Sequence, residues 1–159
     1  MTSLYQYSPS KDKFVLKASV KGTTTYRVTG RKSGAEYQFK VKPYNKTSDG
    51  TVIWGSASAA FVTATEPAKP QISLSSTSKG KVAVSWNNVS GETGYQIYYS
   101  INKSSGYTKL TNVGTNKIKY TASKLSSGKT YYFKVRAYKK VNGKTIFGTF
   151  SSVKSIKVK

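Results

Sequence analysis

The chain predicts an all-β protein of two tandem sandwiches, and three observations carry that reading. Apolar and polar residues alternate along the longer runs, turn-forming residues separate the runs, and one line of sequence is written twice. "SGAEYQFKVKPY" begins at Ser33 and "SGKTYYFKVRAY" at Ser127, with Tyr37 over Tyr131, Phe39 over Phe133 and Val41 over Val135. Period-two alternation gives each strand one apolar face and one wet face, and two sheets packed face to face bury the apolar ones. The abundance of Val, Thr, Tyr and Phe points the same way. No segment shows a helical period.

The repeat sets the order of elements. Upstream of the duplicated line, Tyr26 falls over Tyr120; downstream, "IWGSAS" from Ile53 falls near "IFGTFS" from Ile146. A period of about ninety residues exceeds the roughly 20–50 of solenoid repeats and suits tandem globular domains. Between the copies, "TEPAKP" (65–70) holds two prolines and reads as a stiff extended connector. The expected division is therefore 1–66 and 67–159, with the linker at about 65–70.

In the second copy, "KVAVSW" places Val82, Val84 and Trp86 on one face, and "GYQIYY" places Tyr95, Ile97 and Tyr99 together. "YYFKVRAY" turns Tyr131, Phe133, Val135 and Ala137 inward and Tyr132, Lys134, Arg136 and Tyr138 outward. "SIKVK" buries Ile156 and Val158 between lysines. Between two of these runs, Asn142-Gly143 is a strong hairpin signal, and Asp49-Gly50 holds the matching place in the first copy.

Composition narrows the chemistry. There is no cysteine, hence no disulfide, thiol nucleophile or thiolate metal site. Histidine, the usual general base and metal ligand, is also absent. Five scattered acids (Asp12, Glu36, Asp49, Glu66, Glu92) form no close pair for acid/base work. Ser-x-x-Lys matches at Ser8 and Ser100 lack supporting motifs, and "SSGK" at Ser126 lacks the rest of a phosphate-binding loop. The expectation is a protein that is not an enzyme and needs no cofactor or metal. No apolar run approaches the roughly 20 residues that span a bilayer, and none follows Met1 as a secretion signal would.

At this point the second copy resembles a fibronectin type III domain from Pro70 to Lys159. Trp86 sits at the family's second-strand tryptophan, "GYQIYY" resembles its third strand, and Leu125 followed by Tyr131 resembles its tyrosine corner. The first copy resembles the same family but is incomplete. Tyr37 has 36 residues before it, about 25 fewer than the second domain uses, and nothing matches Trp86. "SLYQYS" takes the third-strand position, with Leu4 over Ile97, and Arg31 replaces the corner leucine. The resemblance thus implies tandem immunoglobulin-like (fibronectin type III) β-sandwiches, the first lacking its first two strands. The Lys/Tyr/Ser/Thr style looks like tandem modules of bacterial secreted or cell-surface proteins, which implies an extracellular or cell-surface setting.

Two functional readings remain open. One is a non-catalytic spacer or interaction module attached to other domains of a longer protein. The other is a module that binds a cell-wall polymer or polysaccharide through lysines and exposed tyrosines. The net charge of +22 supports a polyanion partner. Yet 24 Lys against three Arg suits a solvated surface better than bidentate phosphate recognition, and no nucleic-acid motif appears. The candidate binding surface is the outward stripe Tyr132, Lys134, Arg136 and Tyr138, mirrored by Gln38, Lys40, Lys42 and Tyr44. Trp54 and Phe147, each preceding a glycine, are candidate sugar platforms or, more simply, core or rim residues of the last strand. Arg-Gly-Asp, which some family members display, occurs nowhere.

Overall fold

The computed structural model describes residues 1–159. The chain divides into two compact units: Met1–Lys32 with Glu36–Ala64, and Ser33–Ala35 with Thr65–Lys159.

The second unit is a complete two-sheet sandwich. Its strands, numbered after the five of the first unit, are β6 (Ile72–Ser75), β7 (Val82–Trp86), β8 (Gly94–Ser100), β9 (Thr108–Gly114), β10 (Lys119–Ala122), β11 (Thr130–Val141), β12 (Lys144–Phe147) and β13 (Lys154–Lys157). One sheet runs β10-β7-β6 and the other β12-β11-β8-β9, with β13 also on β11, and every pairing is antiparallel. The alternation of each sequence run becomes the alternation of burial. Val82, Val84 and Trp86 face Tyr95, Ile97, Phe133 and Val135, and all of them are buried. Full burial of such side chains contributes roughly 1.5–3 kcal/mol each. Trp86 stacks at a tilt on Tyr95, 5.3 Å between ring centres, and its indole N–H has no acceptor, so shape rather than hydrogen bonding holds it.

Local chemistry closes the strands. Asn142 and Gly143 both take positive φ (46° and 72°), the conformation of a two-residue hairpin turn, and Val141 pairs with Lys144 across it. The tyrosine corner is formed: Tyr131 Oη accepts from the Ser126 N–H at 3.2 Å while Leu125 packs on the core. Opposite it, Tyr95 Oη donates to Asn88 Oδ1 at 2.9 Å and accepts from the Val89 N–H at 2.8 Å.

The first unit contains β1 (Thr2–Ser8), a 3₁₀ turn (Pro9–Lys11), β2 (Lys13–Val20), β3 (Glu36–Lys46), β4 (Val52–Trp54) and β5 (Phe61–Ala64). These make one sheet, β2-β1-β3-β4 with β5 on β3. It reproduces the larger sheet of the second unit closely. Leu4 pairs with Val41 as Ile97 pairs with Val135, and both third-position strands carry a bulge at the same place, Leu4/Tyr5 and Ile97/Tyr98. This confirms the sequence register for Leu4. The corner is repeated as well, Tyr37 Oη accepting from the Lys32 N–H at 2.9 Å. The turn at Asp49-Gly50 differs from its counterpart. Pairing stops at Lys46↔Val52, and a five-residue loop is held by the Thr47 hydroxyl donating to Asp49. That bond and the Thr51 N–H hold the Asp49 carboxyl below its ordinary pKa.

The second sheet is missing from this unit. Residues 25–28, which correspond to β10, form no strand, because the partner that β7 provides in the second unit has no equivalent here. No apolar side chain of the first unit is buried; Phe61 is 58% and Val41 42% exposed.

Two outcomes follow. Amide exchange will be slowest in β7, β8 and β11, and at least a hundredfold faster throughout β1–β5, with Tyr26–Thr29 near the rate of an unstructured chain. Equal protection in both units would contradict the one-sheet account. Burial also pushes the Tyr95 phenol above its ordinary value of 10.0. A raised folded-state pKa means its contribution is intact below about pH 10 and is lost as pH rises beyond. Thermal melts across pH 8–11 will show stability declining at the alkaline end, and Tyr95→Phe will flatten that decline.

Candidate functional site

The four stripe residues lie where the alternation of β11 puts them, on the outer face of the larger sheet, and all four are half-buried. Two neighbouring strands, with the segments before β9 and after β12, bring aromatic rings against their charges. The Arg136 guanidinium carbon lies 3.9 Å from the Phe147 ring centre, 4.7 Å from Phe150 and 5.8 Å from Tyr98. Its Nε donates to Gln96 Oε1 at 2.9 Å, and Gln96 is buried beneath it. Lys134 Nζ sits 4.0 Å from the Tyr107 ring centre and 4.4 Å from Phe150. Phe150 meets Tyr98 edge-on at 5.2 Å, and Tyr138 meets Phe147 edge-on at 6.4 Å. Tyr132 takes part in no ring stack or cation contact of this kind. Burial first, and Tyr132 second, push the Tyr107 phenol above its ordinary pKa.

Phe150 is the centre of this ladder, with two cations over its ring and Tyr98 at its edge. Each cation–ring contact contributes about 0.5–2 kcal/mol, more as water is excluded. The arrangement holds its own cations in place. It offers no paired acids, and no group of three Asp or Glu gathers as metal ligands would.

The first unit carries the same ladder with one rung removed. Lys40 Nζ lies 4.5 Å from the Phe14 ring centre and Lys42 Nζ 5.0 Å from Trp54, whose ring packs on Tyr44 at 5.0 Å. Phe14 and Trp54 stand 93 residues before Tyr107 and Phe147, and Tyr5 stands 93 before Tyr98. Position 57, however, is alanine where position 150 is phenylalanine. A shallow depression of about 270 Å³, lined by Tyr5, Phe14, Lys40, Lys42 and Ala57, takes the place of the missing ring. Trp54 and Phe147 end β4 and β12, each the strand before the last of its unit rather than the last, and are 44% and 38% exposed with a cation over each ring. Sequence reading missed Phe150, Tyr107 and Gln96; the one available signal was Phe147 and Phe150 set three apart against Trp54 and Ala57.

A family model described as SORL1-like, fn3 domain matches residues 65–155, more than half of the chain. The chain belongs to the fibronectin type III family. Among solved structures, the two fibronectin type III domain segment of chicken tenascin superimposes with a TM-score of 0.60 at 18% identity, covering 99% of this chain and 83% of that one. The FN1–FN3 domains of chicken CNTN1 give a TM-score of 0.52 at 19% identity, covering 99% of this chain and 56% of theirs. At these identities the likeness is one of fold, and it extends over both units. A Kelch domain-containing protein of Saccharolobus solfataricus is 39% identical over 75 residues, 47% of this chain. The chain spans 10% of that relative's length. Fibronectin type III modules are typically non-catalytic interaction or spacer domains, and no helix here is long and apolar enough to cross a membrane.

Chemical denaturation tests the ladder. Phe150→Ala will destabilise the second unit by about 1–3 kcal/mol, through lost ring contacts and loosened cations. Ala57→Phe in the first unit will act in the opposite direction. A Phe150→Ala variant as stable as the parent would show that the rings merely lie near one another.

Proposed function

We propose that the chain is a non-catalytic spacer and interaction module of a secreted or cell-surface protein, with domain limits near 1–66 and 67–159. The observation that supports this best is the state of the outward cations. Lys134 and Arg136, the central members of the candidate surface, are already engaged by Phe147, Phe150, Tyr107 and Gln96. A side chain that must leave such contacts before meeting a ligand is a poor starting point for a polyanion or sugar site. On this reading Tyr132, Lys134, Arg136 and Tyr138 stiffen the sheet and present a patterned, strongly basic face to neighbouring domains.

The second reading, binding to a cell-wall polymer or polysaccharide, draws on charge. Residues 67–159 hold seventeen Lys and Arg against one acid, a local charge of +16. A field of that size attracts polyanions whether or not a shaped site exists, and salt screens it.

Retention of the purified chain on anionic cell wall and on neutral polysaccharide, across a salt series from about 0.02 to 0.5 M, separates the readings. The spacer predicts no retention on either matrix above about 0.15 M salt, where the Debye length falls to about 8 Å. Retention on a neutral glycan that persists in salt and disappears in Tyr132→Ala or Tyr138→Ala would replace the spacer with a carbohydrate module.

A further inference from the structure

The outer face of the first unit's sheet holds a vacancy shaped by a ring that its sister unit has. In each unit the segment after β4 or β12 is tied to the long central strand at two points. In the second unit the Gly148 N–H donates to the Ala137 carbonyl at 2.9 Å and the Ser151 N–H to the Val135 carbonyl at 2.7 Å, while Ser151 Oγ accepts from the Val135 N–H at 3.0 Å. In the first unit the Gly55 N–H donates to the Pro43 carbonyl at 3.0 Å and the Ser58 N–H to the Val41 carbonyl at 2.9 Å, while Ser58 Oγ accepts from the Val41 N–H at 3.1 Å. The main chain is fixed at matching places, so Ala57 occupies the position of Phe150 and lacks only the ring. The depression of about 270 Å³ at Ala57 is what remains. A vacancy left by one side chain in a fixed surround takes up a matching group from outside.

The filled position shows what the empty one suits. Lys134 contacts both Phe150 and Tyr107, and Arg136 contacts both Phe150 and Phe147. Their counterparts have one ring each, Phe14 for Lys40 and Trp54 for Lys42, and both cations line the depression beside Ala57. Tyr5 stands where Tyr98 meets the edge of Phe150. Opposite Tyr5 is Leu16, which is exposed and replaces Lys109 of the second unit, so the surround is more apolar here. No acidic residue lines the depression. In the second unit none of the residues on this face comes from β6 or β7, so the outer face is built without the layer that covers the inner one.

We propose that the depression at Ala57 binds an aromatic side chain of a partner polypeptide, with an acidic residue next to it in that partner's sequence. The ring takes the place that Phe150 fills in the second unit, its face toward Lys40 and Lys42 and its edge toward Tyr5. The carboxylate pairs with the two ammonium groups, which supply charge without a neighbouring acid. A shallow site for one ring gives a free small molecule few contacts, whereas a polypeptide laid along the sheet brings flanking contacts with it. A second copy of the chain does not supply the group. The only aromatic residue next to an acid in this sequence is Tyr37, beside Glu36, and its hydroxyl is tied into the corner. The site rests on the interaction half of the proposed function and is measured apart from glycan retention, so either result can fail without the other.

The test titrates a blocked glycine-phenylalanine-aspartate-glycine peptide into the ¹⁵N-labelled full chain. Saturable shifts will appear at Tyr5, Phe14, Ala57 and Ser58, with a Kd on the order of 1 mM, as suits one ring and one charge at an open site. Leucine in place of the phenylalanine will weaken binding about tenfold by removing the cation–ring contacts. Asparagine in place of the aspartate will weaken it about threefold and remove its salt dependence. Ala57→Phe in the protein will abolish the saturable shifts by filling the site with its own ring, while unchanged Tyr37 corner resonances show that the sheet persists. Lys42→Gln will weaken binding without moving those resonances. The proposal is overturned by the absence of saturable shifts, by shifts that survive Ala57→Phe, or by shifts centred on Phe150. Free phenylacetate binding as tightly as the peptide would overturn the assignment to a polypeptide, and self-association of the chain abolished by Ala57→Phe would give the site to a second copy instead.

Discussion

A strand that alternates apolar and polar residues stabilises a fold only when a second layer covers its apolar side, and everything in this chain turns on where that layer is present. In the second unit the β6–β7 hairpin and β10 supply it. Phe133, Val135, Ile97 and Tyr95 then become fully buried, and the Tyr131 corner has a core to close against. In the first unit the same sheet exists with nearly the same register, yet Phe39 and Val41 remain open to water. Main-chain pairing is thus specified locally by β1, β2 and β3, whereas burial depends on strands drawn from elsewhere. The comparison within one chain separates the two contributions, which in most sandwiches are inseparable.

The two units also differ in the side chains around the corner. Where the complete unit has Leu125 over the core and Tyr99 stacked between Tyr131 and Phe133, the partial unit has Arg31 and Gln6. The two replacements belong together. Arg31 Nη1 donates to Gln6 Oε1 at 2.9 Å, Nε donates to the Thr29 carbonyl at 3.0 Å, and the guanidinium lies 5.4 Å from the Tyr37 ring centre. Either change alone would leave a buried polar group without a partner or a cavity beside a charge, both destabilising by a few kcal/mol. Made as a pair, they keep the tyrosine corner while tolerating water at that end of the sheet. Arginine here does what the residue does well, burying its stem and keeping a planar donor group satisfied.

Which parts were legible in the sequence has a physical explanation. Strand faces in "KVAVSW" and "YYFKVRAY" were readable because period two is a local property, and the Asn142-Gly143 turn because positive φ at two successive residues selects those residue types. Leu4 could be placed over Ile97 because the duplicated line fixed β3 and the pairing followed. The Asp49 loop was less transparent. Dipeptide identity does not set loop length, which depends on where pairing between Lys46 and Val52 stops. Tyr26 falls over Tyr120 of β10, but a strand needs a neighbour, and no local pattern reports its absence. The ladder was half legible. Its cations appeared in the alternation of β11, whereas Tyr107, Phe147 and Phe150 arrive from other segments and only tertiary structure brings them over Lys134 and Arg136.

That half-legibility changes what the charge means. Read along the chain, lysines at outward positions suggest a surface waiting for an anion. Placed in the sheet, two cations in each unit lie against rings, and the duplication repeats the arrangement with different residues: Lys42 on Trp54 for Arg136 on Phe147, Lys40 on Phe14 for Lys134 on Tyr107. A pattern that survives exchange of both the cation and the ring is set by the geometry of the sheet face, where long outward side chains reach rings on the adjacent strand or one strand beyond it. The same geometry explains why losing one ring at Ala57 leaves the flanking contacts of Lys40 and Lys42 in place. In the first unit each cation has its own ring, Phe14 in β2 for Lys40 and Trp54 in β4 for Lys42, so the ladder there loses a rung without losing these two contacts. The net charge of the chain is therefore a poor guide to a binding site, because the cations best placed by the fold are the ones the fold already uses.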